Sequence, residues 1–64
     1  MRVVCEATVE NPIQRENLCK CINILGGLPV IHRDKVVTDY EGEKSDAMVG
    51  LFEQYVRHTI HVID

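Results

Sequence analysis

The feature that most constrains this chain is the stretch over residues 11–27, NPIQRENLCKCINILGG, which carries its own start, stripe and stop. Asn11 is a favoured N-cap, Pro12 suits the first helical position, and Gln14 is placed to close a capping box. Leu18, Cys21, Ile22 and Leu25 recur at i, i+3, i+4 and i+7, so they share one face. Cys19 falls about 100° from Leu18, on the flank of that stripe. Gly26 and Gly27 offer the left-handed exit that residues with a Cβ adopt only at a cost.

The residues around this helix read mostly as extended. Val3, Cys5, Ala7 and Val9 alternate with Arg2, Val4, Glu6 and Thr8, which predicts a strand with its odd-numbered set turned inward. After the helix, residues 28–32 (LPVIH) and 35–40 (KVVTDY) read as strands about an Arg33-Asp34 turn. A single bent strand over residues 28–40 is the competing reading. Gly42 breaks the chain, and residues 43–57 carry a second helical stripe of Ala47, Met48, Leu51, Phe52, Tyr55 and Val56. Glu43 and Asp46 at its start and Arg57 at its end suit the helix dipole. Gly50 inside it costs about 1 kcal/mol relative to Ala and marks a place of close approach to the first helix or the sheet. Residues 59–63 (TIHVI) close the chain as a strand, with Ile60 and Val62 on one face.

The order β-α-β-β-α-β predicts an α+β fold, a two-layer ferredoxin-like sandwich with both helices on one face of an antiparallel sheet. The opposite face then carries Arg2, Val4, Glu6 and Thr8 from the first strand and Thr59, His61 and Ile63 from the last. Apolar Val4 and Ile63 among polar neighbours suggest a face that meets a partner.

Size and charge narrow the classes of function. Residues 1–64 are expected to form one domain, and a chain this short hides only about 60% of its unfolded surface. Self-association, most simply a homodimer, is the expected source of further burial. Three cysteines cannot all pair internally and their spacing fits no secreted framework, so reduced thiols and a cytoplasmic setting are expected. Ten acidic against seven basic side chains give a net charge of −3, which argues against nucleic acid as a partner. The N-terminus is charged too early for a signal peptide, and no apolar run reaches the roughly 20 residues of a membrane span.

Several groupings hint at chemistry without sustaining it. Cys19 and Cys21 on a helix point about 200° apart and cannot share one tetrahedral ion. His58 and His61, three apart on a strand, fall on opposite faces. Cys5, His58 and His32 could converge only from different strands. Asp39, Glu41, Glu43 and Asp46 lack the register of a calcium loop and read as a solvated approach to a helix start. Cys5 or Ser45 beside a histidine would need a cleft that a small sandwich has little room for. Of the aromatics, Phe52 and Tyr55 belong to the helical stripe, leaving Tyr40 as the one ring available for base stacking. No catalytic residue, metal or cofactor is therefore expected.

The strand over residues 3–9, the Asn11-Pro12 turn, the helix closing on Gly26-Gly27 and the apolar hairpin together resemble an ACT domain or a related small regulatory module. The resemblance spans most of the chain as a pattern. It implies the same β-α-β-β-α-β order, pairing of copies through sheets or helices, and amino-acid binding near the first turn. The positions concerned are Asn11, Pro12 and Ile13, where Ile13 stands in place of the family's usual glycine. The expected function is a non-catalytic interaction or regulatory module acting by self-association and protein binding, of which a phage-type inhibitor is one form. The alternative is a sensor of a small ligand, an amino acid or a nucleotide.

Overall fold

The computed structural model describes residues 1–63. The chain runs β1 (Arg2–Thr8), α1 (Pro12–Ile24), β2 (Val30–His32), β3 (Lys35–Glu41), α2 (Ser45–Glu53) and β4 (His58–Ile63). The strands form one antiparallel sheet in the order β2-β3-β1-β4, with both helices on one face. This is the ferredoxin-like α+β sandwich that the element order predicts.

The helix that dominates the sequence forms as its signals require. The Asn11 side-chain oxygen accepts from the backbone N–H of Ile13 at 2.9 Å and of Gln14 at 3.1 Å, answering two of the amides a helix start leaves free. At the other end Gly26 takes φ 90°. The N–H of Gly27 donates to the Ile22 carbonyl and that of Gly26 to the Asn23 carbonyl, the paired bonds of a Schellman exit. Leu18 and Ile22 are buried, as expected of the stripe. The two helical cysteines trade places, however. Cys19 packs against the core, whereas Cys21 is exposed. Cys21 borders an open groove between the helices, shared with Ile24, Leu25, Ala47, Gly50 and Leu51, so nothing covers its side of the stripe.

The segment over residues 28–40 is a hairpin and not one bent strand. Val30 pairs with Val37, Ile31 with Val36 and His32 with Lys35, leaving Arg33 and Asp34 as a two-residue turn. Arg33 adopts φ 59°, a conformation that suits glycine far better than a residue with a Cβ.

The second helix is shorter than its apolar pattern suggests. It spans Ser45–Glu53, so Tyr55, Val56 and Arg57 lie beyond it, and Val56 is 99% exposed. The sheet imposes this limit. The N–H of Thr8 donates to the Arg57 carbonyl at 2.9 Å, so the chain must already run alongside β1 at residue 57. Met48 and Phe52 are sealed and Ser45 turns inward with them, while Ala47 is exposed. Asp46 occupies the first turn as the dipole favours, but Arg57 is too far along the chain to answer the far end.

Val3, Cys5, Ala7 and Val9 from the centre of the sheet meet Leu18, Ile22, Met48 and Phe52 from the helices in one core. Buried Thr38 joins them, its hydroxyl donating to the Leu28 carbonyl at 3.1 Å. The close approach assigned to Gly50 occurs at Gly27 instead. A Cβ on Gly27 would lie 2.8 Å from Met48 Cε and 2.9 Å from Ile22 Cγ2, whereas one on Gly50 would meet nothing within 4 Å.

Candidate functional site

The helices cover one face of the sheet and leave the other bare. Register places all seven expected surface residues on that open face: Arg2 lies opposite Ile63, Val4 opposite His61 and Glu6 opposite Thr59, with Thr8 at the end of the same row. The β2–β3 hairpin extends the face with Val30, His32, Lys35, Val37, Asp39 and Glu41. The hairpin decides the side of Val30 and His32, because a bent strand and a hairpin assign opposite sides to residues 28–32. On β3 the buried Val36 and Thr38 and half-buried Tyr40 alternate with the outward positions.

The apolar members of this face line up. Val30 lies directly opposite Val37, Val37 is diagonal to Val4, and Val4 is diagonal to Ile63. Diagonal neighbours in an antiparallel pair are close enough for side chains to interact. A stripe therefore crosses all four strands, with polar residues on both sides. On one side Arg2 grips Asp39 through two bonds, Nε to Oδ1 at 2.9 Å and Nη2 to Oδ2 at 2.6 Å. That hydrogen bonding holds the Asp39 carboxyl below its ordinary value and the Arg2 guanidinium above its own. On the other side Glu6, Thr8, Lys35, Arg57 and Thr59 border a shallow depression of about 260 Å³.

The turn after β1 is a second feature. Asn11 borders a cleft of about 640 Å³ between the start of α1 and the bend after α2, together with Gln14, Asn17, Gln54, Tyr55 and Arg57. Pro12 and Ile13 stand outside it, and Ile13 is 71% exposed. Arg15 fixes this corner: its Nε donates to the Val9 carbonyl at 3.0 Å and its Nη2 to the Glu10 carbonyl at 3.1 Å. The Asn11 side-chain oxygen is already engaged by the helix amides.

Groups with reactive side chains are dispersed. Cys5 is 0% exposed, and burial pushes its thiol up. Burial also raises Cys19, with Arg15 opposing and Glu16 adding to the shift. Tyr55 is raised by burial first and by the neighbouring Cys21 and Cys19 second. Cys5 lies in the core on β1, His32 ends the β2 edge and His58 begins β4, so the three do not converge. His58 is not at a helix end; its ring Nδ1 contacts the Tyr55 carbonyl in the bend. Among the described residues no group of three His, Cys, Asp or Glu could hold a metal ion. Tyr40 lies on the helix-covered side against Gly42 and Gly26, so among the described residues the open face carries no Phe, Tyr or Trp ring. Among the described residues no helix is long and apolar enough to cross a membrane.

No family model, curated protein or solved structure matches this chain. What the open face offers is a narrow apolar stripe with polar groups on both sides.

Proposed function

We propose that this chain is a non-catalytic interaction and regulatory module that associates with itself and that, through the open face of its sheet, binds a protein partner. The observation that carries this reading is the stripe of Val30, Val37, Val4 and Ile63 crossing all four strands. Partner-binding surfaces characteristically combine an apolar centre with a polar rim. Inhibition by surface occupancy, as in small phage-encoded inhibitors, is one way such a module acts. Three free thiols fit a reducing, cytoplasmic setting. The test is capture of a partner from host lysate by the wild type and by Val37→Glu. A partner held by the wild type and released by a folded Val37→Glu supports the reading; a partner held equally by both removes it.

The cleft beside Asn11 favours a second reading, a sensor of an amino acid or nucleotide. Its volume falls in the range of small-molecule sites, and amide side chains border it. Thermal-shift screening decides between the two. A melting temperature that climbs with amino-acid or nucleotide concentration selects the sensor, and an unmoved one selects the protein-binding module.

A further inference from the structure

The two edges of the sheet are protected very differently. The β2 edge is only three residues long, follows Pro29 and runs into Arg33 and Lys35. Short length, proline and positive charge are the usual devices that keep an edge strand from recruiting another. The β4 edge is twice as long and has only Arg57, just before its start, to set against these. Its six residues, HTIHVI, contain no proline and no Lys, Arg, Asp or Glu, and Val62 is 55% exposed.

Register shows which backbone groups this edge leaves open. Thr8 N–H bonds the Arg57 carbonyl, and in an antiparallel ladder the residues bonded to the neighbour alternate with those that are not. Residues 57, 59, 61 and 63 thus turn their amides toward β1. His58, Ile60 and Val62 turn theirs outward, with no strand among the described residues to receive them.

We infer that a second copy of this chain pairs with β4 in antiparallel register about a two-fold axis at Ile60, joining two sheets into one. The inference rests on the self-association put forward above and gives it a location. The outward residues are self-complementary in this register. Ile60 faces Ile60 of the second copy, His58 faces Val62, and each pair exchanges N–H and carbonyl bonds. On the open face, Thr59 falls opposite His61, so no pair of like full charges meets across the seam. The Ile60 and Val62 side chains gain cross-strand apolar neighbours on the helix-covered side.

The test combines mass in solution with amide hydrogen exchange on the full chain at millimolar concentration. The expected result is a dimer in which the amides of His58, Ile60 and Val62 exchange slowly and accelerate on dilution. Val62→Lys, at a half-exposed side chain, is expected to weaken the dimer at least tenfold with unchanged circular dichroism. Val56→Lys, a charge at an exposed site off the edge, is expected to leave it intact. A dimer with those three amides exchanging fast, or one that survives Val62→Lys, overturns the β4 seam while self-association stands. A monomer at millimolar concentration overturns both, and partner capture through Val37 still judges the open face separately.

Discussion

Val3 and Val4 are the same residue at consecutive positions of the same strand, yet one is sealed under the helices and the other looks out from the open face. The contrast runs through the whole sheet. Cys5 and Thr38 belong to a packed layer, whereas Val4 and Val37 belong to a stripe with nothing above it. One face is spent on stability, so its residues are fixed by volume. The other contributes little to the isolated fold, so its residues are free to be selected for what they touch.

Substitutions measure how sharp that division is. Phe52→Ala on the covered side is expected to cost about 3–5 kcal/mol in denaturant unfolding, since a sealed aromatic leaves both lost contacts and a cavity. A cost under about 1 kcal/mol would mean that the core is fluid and the contrast false. Gly27→Ala should follow at about 1–3 kcal/mol, because its Cβ would strike Met48 and Ile22 and force the layer apart. Gly50→Ala should instead stabilise by up to about 1 kcal/mol, visible as a raised melting temperature. Val37→Ser on the open face should stay within about 0.5 kcal/mol of wild type while changing partner capture. Asp39→Asn is expected to have the smallest effect, one that fades as salt is added, because the Arg2 pair is solvent-exposed. The Asp39 carboxyl is depressed in the folded chain. The pair's contribution is therefore present above the ordinary carboxylate range and is lost as pH falls through the depressed value. Acid titration of wild type against Asp39→Asn reads that difference.

Local signals explain why much of this arrangement was legible in the sequence. Asn11, Gly26 and Gly27 act on backbone within a few residues, so the bounds of α1 could be read directly. The alternation in β1 named both faces of the central strand, and together with that of the closing strand it named all seven residues first placed on the open side. What escaped was decided at a distance. The end of α2 is set by Thr8 pairing with Arg57, a bond that the apolar run through Tyr55 and Val56 does not reveal. The exchange between Cys19 and Cys21 depends on how far α2 stands from α1, which periodicity within one helix cannot express. The hairpin turn uses Arg33 at a positive φ, a position where glycine would have announced it. The diagonal stripe needed the register of three strand pairs at once.

The placement of β1 also governs how this molecule comes into being. As the earliest of the four strands in the chain, it has to wait for neighbours encoded 27 to 39 and more than fifty positions later. Neither flank of the central strand can close until β3 and then β4 have emerged. Such long-range pairing slows folding relative to helical domains of similar size. The sheet therefore assembles around β1 only once β4, the last of the four strands, has been made.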